Sequence, residues 1–160
     1  MFRRYILSVL VENRSGVLNR ISSLITRRGF NIDSLSVAET ENPEISKMTI
    51  ALHCDEAVVE QMIKQLKKQL DVIEVTELEE GSSVTREHVM IKVAATAENR
   101  MSVISVAEIF RANIIDVSPH AMIIELTGES TKTEAFIETV KPFGVLQVVR
   151  SGLTGMKRGI

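Results

Sequence analysis

The chain has one cysteine, three prolines, one tyrosine and no marked excess of either charge, and each shortage excludes something. With Cys54 alone, no disulfide can form within the 160 residues, and a reducing, cytoplasmic setting is the simplest reading. No apolar run reaches the ~20 residues of a membrane-spanning helix. The start, Met1-Phe2-Arg3-Arg4-Tyr5, lacks the apolar core and small-residue cleavage site of a secretion signal. The net charge is -2 and the Lys and Arg residues are scattered, so no basic face is offered to a phosphate backbone and a general nucleic-acid binder is disfavoured.

Groupings that support catalysis are equally scarce. His53, His88 and His120 fall in three separate predicted strands. His53 and Cys54 are neighbours on one strand and so point to opposite faces, a poor geometry for a Cys-His pair. Cys54 reads as a small core residue. No catalytic residue and no metal ligand is expected. The acidic pairs Glu39/Glu41 and Glu79-Glu80 read as solvated loop surface.

What is present is an order of elements that occurs twice. Residues 4 to 11 are rich in β-branched and aromatic side chains and predict a strand. Val17, Leu18, Ile21, Leu24 and Ile25 recur at helical spacing, and Gly29 stands where a helix C-cap is wanted. A strand with Ile32, Leu35 and Val37 follows, then a turn at Glu41-Asn42-Pro43-Glu44. Met48, Ile50, Leu52 and Cys54 alternate as in a half-buried strand. Val59, Met62, Ile63, Leu66 and Leu70 restore the helical period, and Asp71 to Leu78 closes with a strand. The order is βαββαβ. Glu79 to Arg86 has no periodicity and reads as a linker.

The order then repeats. Val89, Ile91 and Val93 alternate; Val103, Val106, Ala107 and Phe110 have helical spacing; 113–118 and 120–127 predict two strands around Pro119. Thr131 and Glu134 form a candidate capping box for a helix carrying Ala135, Phe136 and Val140, stopped by Pro142 and Gly144. Val145 to Val149 is a final strand, and the tail "RSGLTGMKRGI" reads as a flexible end rather than a docking segment. All three prolines fall at predicted boundaries.

The expected fold class is therefore α+β: two tandem ferredoxin-like βαββαβ sandwiches, at 1–78 and 87–160, joined by the linker 79–86. Ile6, Val9 and Val11 lie beside Leu7 and Leu10, so both faces of the first sheet are apolar and the face without helices needs cover. Fold class alone does not give function. The heavy-metal-carrying form of this fold would need Cys-x-x-Cys, which is absent. The RNA-binding form would need stacking aromatics on the two central strands, where the first domain offers only Tyr5.

The informative stretch is "VENRSGVLNRISSLITRRGFNIDSL", Val11 to Leu35. Two readings of Asn13-Arg14-Ser15-Gly16 stand. In one, it is a plain strand-to-helix turn capped by Ser15. In the other, the unpaired amides of the first helical turn receive a carboxylate, Asn side chains bridge ammonium and carboxylate, and apolar neighbours bury an aliphatic side chain. A free aliphatic amino acid fits the second.

"ILSVLVENRSGVLNRISSLITRRGFNIDSLSV" resembles the ACT domain of the regulatory small subunits of acetohydroxyacid synthase (acetolactate synthase), and the likeness extends through "EISKMTIAL", "IKQLKKQLDVIEVTEL", "REHVMIKVAA", "EIFRANIIDVSP" and "VVRSGLTGMKRGI". The resemblance implies a noncatalytic regulatory subunit of the first shared enzyme of branched-chain amino-acid synthesis, that of valine and isoleucine. Thiamine diphosphate, FAD and Mg2+ would belong to the large catalytic subunit, with no cofactor in this chain. The small subunit would raise the large one's activity and confer feedback inhibition, usually by valine. It also implies homodimers joined through ACT edge strands, with effector at the seam. Asn13, Ser15 and the amides of Gly16, Val17 and Leu18 would come from one protomer, and Asn31 and Ile32 from the other. The strand from Asn31 to Glu39 is an unblunted edge, suited to pairing with its twin. A free-standing amino-acid sensor is the alternative.

Overall fold

The computed structural model describes all 160 residues. In chain order the elements are β1 (Phe2–Glu12), α1 (Val17–Thr26), β2 (Ile32–Glu39), β3 (Ile45–Asp55), α2 (Glu56–Lys67) and β4 (Val72–Glu77). They are followed by β5 (Ser83–Ala94), α3 (Arg100–Ile109), β6 (Asn113–Val117), β7 (Ala121–Gly128), α4 (Ser130–Val140), a 3-10 turn (Lys141–Phe143) and β8 (Val145–Lys157). The βαββαβ order is present twice, in two four-stranded antiparallel sheets ordered β2-β3-β1-β4 and β6-β7-β5-β8. The chain divides into two compact units, Met1–Val84 with Leu153–Ile160, and Thr85–Gly152.

In the first unit, alternation along β1 sends Tyr5, Leu7, Val9 and Val11 to the core. Three of them pair with an apolar inward residue of β3, Tyr5 with Leu52, Leu7 with Ile50 and Val9 with Met48, and Val11 pairs with the buried Ser46. Helix α1 covers them with Val17, Ile21 and Ile25, one residue per turn on a single face, and α2 adds Val59, Met62 and Leu66. Each such buried aliphatic side chain contributes ~1.5–3 kcal/mol. Cys54 is buried among them, and burial, ahead of the nearby Asp55 charge, pushes its thiol pKa up. His53, on the opposite face, is half exposed.

Strand β2 is an edge, as its sequence predicts. Its register on β3 slips between Ile32 and Ser34, a bulge that lets Ile32 and Leu35, three residues apart, both pack on the core. Asp33, at the bulge, accepts from His53 Nδ1 at 2.5 Å.

The sheet face away from the helices carries small residues: Ser8 pairs with Thr49, and Ser36 pairs with Thr49 from the other side. The expected flexible tail is instead ordered against this face. β8 runs on to Lys157, Leu153 is fully buried, and Ser36 Oγ donates to its carbonyl at 2.9 Å while its amide donates to Ser34 Oγ at 3.4 Å. Arg158 N donates to Ser82 O at 2.9 Å. Residues 153–160 thus group with the first unit rather than with 87–152. The expected linker is also shorter: β5 starts at Ser83, after a turn at Gly81 (φ 84°) closed by Ser83 Oγ donating to Glu79 O at 2.6 Å.

The second unit repeats the plan with its own core. Val89, Ile91 and Val93 pair with Leu126, Ile124 and Met122 beneath Val103, Ala107, Phe136 and Val140. Phe110 meets Phe136 edge to face, ring centroids 5.3 Å apart. The capping box does not form: α4 begins at Ser130 with Glu129 at the N-cap, which places Thr131 inside the helix. Glu134 instead accepts from Arg150 Nη2 at 2.6 Å. Arg150 also stands 3.7 Å from the buried Glu87 carboxylate, which accepts a hydrogen bond from Thr133 Oγ1.

Candidate functional site

The corner where β1 ends and α1 begins gathers most of the residues the sequence singles out. Glu12 N donates to Asp71 O and Asn13 N to Glu44 O, both at 2.8 Å, so β1 stays tied to its neighbours to its last residue. Arg14 N then turns back onto Glu12 O at 2.9 Å, and Val17 N reaches Arg14 O at 3.4 Å. Gly16 occupies the N-cap with φ 85°, a left-handed conformation that L side chains rarely adopt. Ser15 is therefore not the cap, and no side chain caps α1.

The amides of Ser15, Gly16, Leu18 and Asn19 meet no backbone carbonyl; the first helical bond is Arg20 N to Gly16 O at 3.0 Å. That cluster of open N–H groups, with the helix dipole behind it, is a physical complement to an anion. The Val17 amide is committed to Arg14 and its side chain to the core, so of the three expected amides those of Gly16 and Leu18 are open. Leu18 is 45% exposed and free to meet an aliphatic group.

Asn13 is already partly engaged. Its Nδ2 donates to Pro43 O at 2.9 Å and to Glu39 Oε1 at 3.3 Å, which occupies both carboxamide hydrogens. Its Oδ1 remains as an acceptor, suited to an ammonium rather than a carboxylate. Glu39, read from the sequence as solvated loop surface, is instead the last residue of β2 and adds a carboxylate at the same corner. An open depression of about 510 Å³ lies beside it, lined by residues including Asn13, Arg14, Pro43 and Ile45. A second, of about 540 Å³, is lined by Arg14, Arg20, Lys68 and Asp71 among others. Arg14 Nε and Glu12 pair at 3.0 Å between the two.

Asn31 and Ile32 are not brought to this corner within one chain. They sit at the start of β2, whereas Asn13 touches Glu39 at its end. Eight residues at ~3.3 Å each put the two ends roughly 25 Å apart. Asn31 is exposed and Ile32 half-buried against the core.

Sequence reasoning missed Arg20 and Asp71. Arg20 Nε and Nη2 donate to Asp71 Oδ2 at 2.9 and 2.5 Å. A side chain on Gly16 would place its Cβ 3.2 Å from Arg20 Nη1. The available signal was Arg20's position one turn after Gly16; its partner lies 51 residues further on. No three His, Cys, Asp or Glu side chains cluster in a way that could hold a metal ion, and no helix is long and apolar enough to cross a membrane.

A split βαββαβ unit with an open glycine turn at the end of its first strand defines the ACT class of domain. The family described as "AHAS small subunit-like ACT domain" matches residues 7–74, and that described as "Small subunit of acetolactate synthase" matches residues 86–159. The chain is 47% identical over 156 residues to a probable acetolactate synthase small subunit of Methanothermobacter thermautotrophicus, covering 97% of this chain and 93% of that one. It is 44% identical over 155 residues to the acetolactate synthase small subunit of Bacillus subtilis, covering 96% and 90%. The crystal structure of the small subunit from Thermotoga maritima superposes with a TM-score of 0.89 at 38% identity, covering 99% of each chain. The chain belongs to the acetolactate synthase small-subunit family.

Proposed function

We propose that this noncatalytic subunit regulates an acetolactate synthase catalytic subunit, raising its activity and conferring feedback inhibition by a branched-chain amino acid, valine foremost. The effector sits where two copies of the chain meet along β2. The supporting observation is the placement of the site residues on that strand. β2 is an edge with Asn31 at one end and the Asn13–Gly16 corner at the other. Pairing two such edges about a two-fold axis is antiparallel, so each Asn31 end meets the Asn13 end of its twin. Two identical cradles result. In each, open amides at Gly16 and Leu18 face the effector carboxylate, Asn13 Oδ1 and the Glu39 carboxylate face its ammonium, and Asn31 and Ile32 of the partner subunit close the far side.

Effector binding shifts activity only if two arrangements of the paired ACT domains bind it unequally. A difference of ~1–3 kcal/mol gives inhibition of several-fold or more. Thiamine diphosphate, FAD and Mg2+ are held by the catalytic subunit. The test is calorimetric titration of the chain with valine, leucine and isoleucine, followed by reconstitution with the catalytic subunit. Saturable binding lost in Asn13→Ala and Asn31→Ala, with activation retained, supports the reading; full valine sensitivity in both variants refutes it. One methylene in an apolar pocket changes affinity by only ~1–3 kcal/mol, so the three amino acids separate by modest factors.

A further inference from the structure

We propose that Arg20 and Asp71 are the positioning pair of the effector cradle: Asp71 holds both ends of the segment from Glu12 to Arg20 and thereby sets the conformation in which its amides stay open. The proposal deepens the reading above and rests on it.

Asp71 makes two kinds of contact. Its main-chain oxygen accepts from Glu12 N at 2.8 Å, fixing where β1 ends. Its carboxylate accepts from Arg20 Nε and Nη2, fixing the first turn of α1. Between these anchors lie Asn13, the left-handed Gly16 and the open amide of Leu18. The Arg20 guanidinium folds back toward the helix N-terminus, the direction in which helical side chains lean. Nη1, the nitrogen that does not meet Asp71, is the one beside Gly16. The guanidinium thus backs the turn on the side where a Cβ would otherwise stand.

Such a pair is not a stability device. The Arg20 side chain is 51% exposed, so water screens its pairing with the more sheltered Asp71 (18%) and limits what the pair adds to folding. What it supplies is geometry: the planar fork meets one carboxylate oxygen through two nitrogens and leaves one orientation for the third. Residues that hold a binding constellation in place act through affinity rather than fold stability.

The experiment titrates valine calorimetrically into the full chain and into Arg20→Ala, Arg20→Lys, Asp71→Ala and the Arg20→Ala/Asp71→Ala double variant. Unfolding midpoints and activation of the catalytic subunit without valine are measured alongside. Each alanine variant is expected to weaken valine about tenfold, and the double variant no further than the weaker single, because the two side chains act as one unit. Arg20→Lys keeps part of the affinity, since an ammonium pairs with Asp71 only as a point charge. Unfolding midpoints stay near that of the native chain, which separates lost positioning from lost folding. Wild-type affinity in both alanine variants, additive losses in the double, or a loss confined to Arg20→Ala overturns the positioning role. If these variants bind normally while Asn13→Ala and Asn31→Ala do not, the cradle stands and this proposal alone falls. If the native chain binds no valine, both fall.

Discussion

The two units build the turn after their first strand in opposite ways. In the first unit, Asn13-Arg14-Ser15-Gly16 carries a left-handed glycine and leaves the amides of Gly16 and Leu18 open. In the second, the equivalent turn is braced by side chains and by the loop before β7. Asn99 Oδ1 accepts from Thr96 N at 2.7 Å, Ala95 N donates to His120 O at 2.9 Å, and no glycine is used. Arg100 then reaches Ser118 O and Pro119 O at 3.3 and 3.4 Å, tying the helix start to the loop before β7. Both helix starts leave first-turn amides without a main-chain acceptor, Leu18 and Asn19 in the first unit and Met101 and Ser102 in the second; what differs is the left-handed Gly16 in one and the Asn99 and Arg100 side-chain braces in the other. The proposed sensing role therefore rests on the glycine turn, since the sandwich itself is common to both units.

The largest expected effect comes from removing the segment that only the first unit possesses. Deleting residues 153–160 exposes the face where Leu153 is buried and breaks its bonds to Ser34 and Ser36, at a cost of about 2–4 kcal/mol by urea unfolding. An unchanged unfolding free energy would mean the tail contributes nothing to the fold.

Closing the open turn comes next. Gly16→Asp forces a side chain into φ 85° and sets its Cβ against Arg20, placing an acidic group where the proposed cradle receives the effector carboxylate. Valine affinity should fall by about 2–3 kcal/mol, roughly 30- to 100-fold, read by calorimetry, with activation of the catalytic subunit retained. The counterpart, Asn99→Ala, should leave valine affinity unchanged and lower stability by about 1 kcal/mol, because it removes the acceptor of the Thr96 amide. A loss of valine binding in Asn99→Ala would erase the distinction between the two turns.

The smallest effects lie where each unit leaves its first helix. Gly29 (φ 76°) has open space where a Cβ would stand, whereas the second unit uses Arg111 at φ 54°. Gly29→Ala should destabilise by about 1 kcal/mol through conformation alone. Arg111→Gly should stabilise by about 0.5 kcal/mol, the relief of left-handed strain slightly exceeding the added chain entropy. Thermal unfolding of both variants reads the two signs.

The elements are legible in the sequence because periodicity is local. Val17, Ile21 and Ile25 mark one helix face, and Met48, Ile50, Leu52 and Cys54 one strand face, whatever lies around them. The cap of α1 is not legible in the same way: Ser15 has the right chemistry, but the backbone passes through the left-handed region one residue later. Thr131 and Glu134 have the spacing of a capping box, yet α4 starts at Ser130 and Arg150 claims the glutamate. The tail's order depends on Ser34 and Ser36, more than a hundred residues away in sequence, and Arg20's partner lies on the far side of two strands and a helix. Asn13 and Asn31 are visible as unusual residues at strand ends, but the structure keeps them at opposite ends of β2 within one chain, and the convergence proposed for them takes a second copy, which no local pattern encodes.

The central claim is that one chain's open glycine turn and its twin's Asn31 share a ligand. Crystals of the full chain grown with valine test it most directly. The account predicts a continuous sheet through two antiparallel β2 strands, with valine at each end between Gly16–Leu18 of one chain and Asn31 of the other. Valine bound within the second unit, or β2 edges left unpaired with the glycine turn empty, would contradict it.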